Sequence, residues 1–144
     1  MKQKLARWLA SSPQERRLLL EAWWLLLLAG AALRLLPLRR VQDVLRPRLA
    51  SSPSRQPEVT VERMARLVDR AARHHVRRTA CLERSLALQV LLARRGCSSE
   101  LKIGVRRDGE TLHAHAWIEV AGKPVGDAPD VAGEFRPFPG ALAP

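Results

Sequence analysis

Cysteine is scarce in this 144-residue chain. Cys81 and Cys97 are the two it has, with no CxxC spacing and no secretory signal. That excludes a disulfide framework and a zinc knuckle, and it fits a reducing cytoplasm. Acidic residues are also few, 14 Asp/Glu against 25 Lys/Arg, and a net charge of +11 raises the question of nucleic acid. The distribution argues against it. Residues 1–57 hold 11 basic residues and 3 acidic ones, whereas residues 58–144 hold 14 and 11, so the C-terminal part is only mildly basic. Of the 25 basic residues 21 are arginine, in a chain rich in Ala and Leu. Codon bias accounts for that as readily as a binding surface does, so no nucleic-acid partner is expected. A long hydrophobic run is missing too. Between Leu18 and Leu36, Glu21 and Arg34 confine the uncharged stretch to Ala22–Leu33, 12 residues. A span needs about 20. This segment reads as a helix facing a core or a partner, and membrane contact is not expected. No internal repeat is visible.

What is present suffices for a domain of ordinary size, with a hydrophobic content of 47%. Ser12, Pro13 and Glu15 supply an N-cap, a first-position proline and a dipole-favoured acid for a helix that Pro37 stops. A short second helix is expected over Arg39–Arg48, broken by Pro47. Residues 50–57 (ASSPSRQP) read as a linker. The expected organisation is a leucine-rich, basic helical segment over 1–57 and a catalytic domain over 58–144. In the second part Val61, Met64, Ala65, Leu67, Val68 and Ala71 form a stripe at helical spacing. A more apolar helix is expected over Cys81–Arg95, with Gly96 as its cap. The period then changes to two, with strands at Leu101–Val105 and Thr111–Val120 joined at Asp108-Gly109. A third short strand lies near Pro124–Asp127, and the tail from Ala128 reads as irregular coil. The fold class is α+β.

Cys81 stands at the start of its helix, where free backbone N–H groups and the helix dipole favour a thiolate over a thiol. The same N–H groups could hold the oxyanion of a tetrahedral intermediate. Cys97 has no such setting and reads as a small buried hydrophobe. In the strand HAHAWIEV, alternation puts His113, His115, Trp117 and Glu119 on one face and Ala114, Ala116, Ile118 and Val120 on the other. The small alanines leave room for a catalytic helix to pack closely. Asp127 falls one turn further on, where an adjacent strand can bring its carboxylate to the imidazole, and Asp130 is next in line. The candidates are therefore Cys81 as nucleophile, His115 as base and Asp127 as the acid that orients it. Two other readings stay open. His113 and His115 could form an HxH metal pair completed by Asp127 or Cys81. The leucine and tryptophan helix with its basic flank could make a non-enzymatic adaptor for a membrane surface or nucleic acid. His74 and His75, in an arginine-rich stretch, read as solvated.

The blocks CLERSL, from Cys81 to Leu86, and AHAW, from Ala114 to Trp117, followed by Asp127, resemble the leader peptidases of lasso-peptide biosynthesis, the B2 proteins. Their catalytic domain is similar to transglutaminases and papain-like proteases, and the likeness covers roughly Val59 to Asp127. It implies a catalytic helix packed on a small antiparallel sheet, with nucleophile, base and acid at Cys81, His115 and Asp127. It also implies cytoplasmic removal of a leader from a ribosomally made precursor before macrolactam closure, with neither cofactor nor metal. Nothing before Val59 alternates like the strands of a winged-helix recognition module. A separate leader-recognition protein, of B1 type, is the implied partner besides the precursor peptide, with the lasso cyclase as a further candidate. A transglutaminase-like acyltransferase would use the same site.

Overall fold

The computed structural model describes residues 12–50, 60–76 and 78–137. Helix α1 covers Pro13–Leu35, and the Ser12 side chain accepts the Glu15 N–H at 3.2 Å, as the cap pattern requires. By length and composition alone α1 could cross a membrane. Here one flank of it lies in a protein core, burying Leu18, Leu19, Ala22, Leu26 and Gly30, while Leu20, Trp24, Leu28 and Leu35 remain exposed. Its two acids tie it down. Glu21 receives Arg94 at 2.8 Å and Arg95 at 2.6 Å, and Glu15 receives Arg70 at 3.2 Å and Arg63 at 3.4 Å.

Helix α2 covers Leu38–Ala50 and is not broken at Pro47 as expected. A proline this close to a helix end forfeits one backbone bond, to the carbonyl four residues back, and the remaining turn can be completed beyond it. Of the linker expected over 50–57, residues 51–57 fall outside the described residues.

Helix α3, Val61–Arg73, is capped by Thr60 and buries Met64, Ala65, Leu67, Val68 and Ala71 of the apolar stripe read from the sequence, while Val61 at its start is only partly buried. Helix α4, Cys81–Ala93, is buried around most of its circumference, at Glu83, from Ser85 to Gln89 and from Leu91 to Ala93, as its composition requires. It ends with Arg94 as C-cap, and Gly96 then takes a φ of 75° in the turn out.

Strands β1 (Glu100–Asp108) and β2 (Thr111–Val120) form the expected hairpin, closing at the Asp108↔Thr111 pair with Gly109 at φ 58°. Ala121 and Gly122, both at positive φ, turn the chain into β3, Lys123–Val125. Two positive-φ residues in a two-residue hairpin loop match the twist of the flanking strands. The tail departs from expectation. It forms a single helical turn, α5 (Val131–Glu134), and a two-residue strand, β4 (Arg136–Pro137), which pairs with Val105 and Gly104 of β1. Such a pairing is too short to show alternation. It depends on Gly104, where a Cβ would lie 2.9 Å from the Arg136 carbonyl oxygen and 3.0 Å from the Phe135 Cβ.

The sheet is antiparallel throughout, in the order β3-β2-β1-β4. Helix α4 lies between α1 and α3 on one side and β2 on the other. Leu86, Leu91 and Leu92 of α4 share one core with Leu26, Met64, Ala116 and Ile118. The structure is α+β, with a helical layer on a small sheet.

Candidate active site

The turn that begins α4 is set by a carboxylate. Ala80 has no side-chain acceptor with which to cap the helix, and Glu83, buried at the third helical position, accepts the Ala80 N–H at 3.1 Å. This is one half of a capping box, and it holds the chain entering Cys81 in a fixed conformation. Cys81 is half-buried and packs against the core from the first position of the helix.

His115 and Asp127 meet across the β2–β3 turn. His115 Nε2 lies 2.6 Å from Asp127 Oδ2, with the two side chains 24% and 27% exposed. The second carboxylate oxygen, Oδ1, accepts the Ala128 N–H at 2.9 Å, so both oxygens of Asp127 are engaged. Gly126 makes this possible: its φ of 72° turns the chain out of β3, and its bare Cα lies so close to α3 that a Cβ would sit 2.9 Å from the Ala65 Cβ. The imidazole is also fixed by rings. It stacks on Trp117, with centroids 6.2 Å apart and planes within 16°, and Phe135 lies 5.1 Å away. Trp117 is itself buried, and its Nε1 donates to Glu119 Oε1 at 2.9 Å. Arg106 covers Phe135 at 5.1 Å and pairs with Glu134 at 3.0 Å.

All three candidate residues line one cleft of about 200 Å³. Ala65, Val68, Leu88, Ile118 and Val125 give it an apolar lining, and Asp69 and Arg84 also line it, 3.5 Å apart. Asp69 is held in turn by Arg73 at 2.6 Å. A thiol at a helix start, an imidazole and a carboxylate facing one cleft are the parts that covalent acyl chemistry needs.

A model of the transglutaminase-like superfamily matches residues 23–139. The chain belongs to that superfamily. The match begins inside α1 and runs past β4, so it takes in every residue that lines the cleft. Transglutaminase-like proteins include cysteine peptidases and acyltransferases. No curated protein and no solved structure matches this transglutaminase-like chain.

Other sequence candidates lie elsewhere in the transglutaminase-like fold. His113 is exposed and does not line the cleft, and among the described residues no group of three or more His, Cys, Asp or Glu is arranged to hold a metal. Asp130 is exposed at the start of α5 and makes no side-chain cap bond. Cys97 packs against the core, and burial pushes its thiol above the ordinary cysteine range. His75, expected to be solvated, instead has both ring nitrogens buried without a partner and lies 5.0 Å from Trp23. The sequence reading overlooked Glu83 and Phe135. An acid three residues after the N-cap is a readable capping signal. Phe135 sits in a segment that carries no periodic pattern.

Proposed function

We propose that the protein is a cysteine peptidase that removes the leader from a ribosomally made lasso-peptide precursor before macrolactam closure. The observation that carries the chemistry is the 2.6 Å contact between His115 Nε2 and Asp127 Oδ2, in a cleft that Cys81 also lines. With Nε2 engaged, Nδ1 is the ring nitrogen left to serve the thiol. Cys81 Sγ gives its proton to Nδ1 and attacks the carbonyl at the leader–core junction. Backbone N–H groups of the first turn of α4, which a helix leaves without internal partners, receive the developing oxyanion. The C–N bond breaks as the imidazolium protonates the leaving amine, the first residue of the core. The leader stays on Sγ as a thioester. Nδ1 then takes a proton from water, hydroxide adds to the thioester carbonyl, and the leader carboxylate departs as the thiol is restored. Asp127 holds the tautomer with a proton on Nε2 and offsets the charge of the imidazolium.

The reading carries partners with it: the precursor, a separate leader-recognition protein of B1 type and, beyond them, the cyclase, all in the cytoplasm. It rests on the residue blocks around Cys81 and His115 and on superfamily membership. The test is to incubate purified protein with a precursor peptide and the recognition protein, and to follow the products by mass. Wild type is expected to release leader and core. Cys81→Ala is expected to release neither while keeping its fold, and trimming by that variant at the wild-type rate would refute the mechanism. His115→Ala should be nearly as damaging, and Asp127→Asn only partly so. Should an added amine replace water as acceptor, the product gains the mass of the amine, and the site acts as an acyltransferase, the other chemistry of this superfamily.

A further inference from the structure

Ser85 stands one turn after Cys81 on α4, on the same face of the helix. A serine inside a helix commonly returns its hydroxyl to the carbonyl four residues back, or turns it to solvent. Ser85 does neither. It is 6% exposed, and its Oγ donates at 3.0 Å to the carbonyl of Ala116, the residue that follows His115.

The position of that bond is informative. Strand β2 is paired with β3 only over Ile118–Val120, because the chain leaves β3 at Gly126 to deliver Asp127. Ala116 therefore lies beyond the end of the neighbouring strand, where β2 carries the imidazole. The hydroxyl that meets this carbonyl comes from the helix that carries the thiol. Ser85 and Ala116 both line the cleft between Cys81 and His115. Leu86 and Leu91 of the helix share one core with Ile118 of the strand, and that apolar attraction is non-directional. A buried hydrogen bond sets both a distance and an angle.

We propose that Ser85 is a positioning residue: its hydroxyl fixes the spacing between Cys81 Sγ and the His115 ring by bonding the strand backbone at the residue after the histidine. The inference rests on the assignment of Cys81 and His115 as a working pair. Ser85 touches neither reacting atom on this account and acts through the strand that holds one of them.

The test needs no knowledge of the peptide substrate. The rate at which iodoacetamide alkylates Cys81 is followed from pH 4 to pH 10 in the full chain, with Cys97→Ala as the common background. A thiolate held by an imidazolium reacts well below the pH at which an ordinary thiol does, so wild type is expected to show an acid limb. His115→Ala should lose that limb. Ser85→Ala should move it upward by about one pH unit, which is tenfold in reactivity on that limb. Ser85→Thr keeps a hydroxyl and should restore most of it. Thermal melts run alongside separate loss of fold from loss of registry. Failure takes two distinguishable forms. If His115→Ala leaves the wild-type profile unmoved, the Cys–His pairing itself is wrong, and this inference falls with it. If His115→Ala moves the profile and a folded Ser85→Ala does not, the pairing stands and the role given to Ser85 is overturned. An unfolded Ser85→Ala together with a Ser85→Thr that folds without the acid limb would also overturn it, because a hydroxyl alone would then not set the geometry.

Discussion

Replacing Gly126 by alanine tests whether the approach of β3 to α3 holds the acid of the site. Two costs arise at that residue. A φ of 72° lies in the left-handed region, where a Cβ costs about 1–2 kcal/mol. The new Cβ would also stand 2.9 Å from the Cβ of Ala65, which is buried in α3 and backed by the core, so neither side can yield freely. Overpacking of this kind costs about 1–3 kcal/mol. Together they give about 2–5 kcal/mol, which for a chain of this length is a fall in Tm of roughly 10 °C. Any relief comes from moving the turn away from α3, and Asp127 is the next residue. A displacement of about 1 Å would stretch the 2.6 Å contact with His115 beyond hydrogen-bonding range. The loss of alkylation at acid pH should therefore exceed what the loss of stability explains. A cycle with Ala65→Gly separates the two costs. That change alone costs about 1 kcal/mol in helix propensity, but it removes the colliding atom, so the double variant should be more stable than the sum of the singles by about 1 kcal/mol or more. Thermal and urea unfolding of the four proteins supply the numbers. A Gly126→Ala protein as stable as wild type, or a cycle with no coupling, would refute the argument.

Further outcomes follow from the same structure. Iodoacetamide near neutral pH should modify Cys81 well before Cys97, because burial raises the Cys97 thiol and leaves little thiolate there; peptide mapping of partly labelled protein would show it. For the same reason the folded chain keeps the Cys97 proton to higher pH than the unfolded chain does. Its contribution to stability is present below the ordinary thiol range and fades as pH rises through and above it, so Cys97→Ala should flatten the alkaline side of a Tm-against-pH curve. Glu21→Gln should cost about 1–2 kcal/mol by detaching α1 from Arg94 and Arg95, and the loss should shrink in high salt. Gly104→Val should push β4 off β1, which chymotrypsin would report as faster cleavage after Phe135, and the Phe135 ring would leave the imidazole with it.

Much of the architecture was legible because it rests on local pattern. The α3 stripe from Met64 to Ala71, the apolar circumference of α4 and the Asp108-Gly109 hairpin each carry a period that survives folding. The meeting of His115 with Asp127 followed from counting along two strands and one turn. What could not be read depends on contacts between elements distant in sequence. Glu15 and Glu21 look like flaws in an apolar helix until Arg63, Arg70, Arg94 and Arg95 arrive beside them. Ser85 is one residue of a block until Ala116 is found against it. Nothing near Phe135 announces that its ring lies on the histidine, because the two-residue β4 has no periodicity and the permission for it is written at Gly104, thirty-one positions earlier.

The two glutamates of α1 have a practical consequence for anyone shortening this protein. Glu15 grips the helix that leads towards the cleft, and Glu21 grips the far end of the helix that begins with Cys81. Between them Leu18, Ala22 and Leu26 close a core whose other walls are Met64, Leu67, Leu91 and Leu92. A fragment beginning at residue 58 would keep every side chain of the cleft and still present those leucines to water. Such a fragment should aggregate, and adding back a peptide of residues 12–36 should recover it. The stretch of chain that looks most dispensable for chemistry is the lid on the box that keeps the chemistry in register.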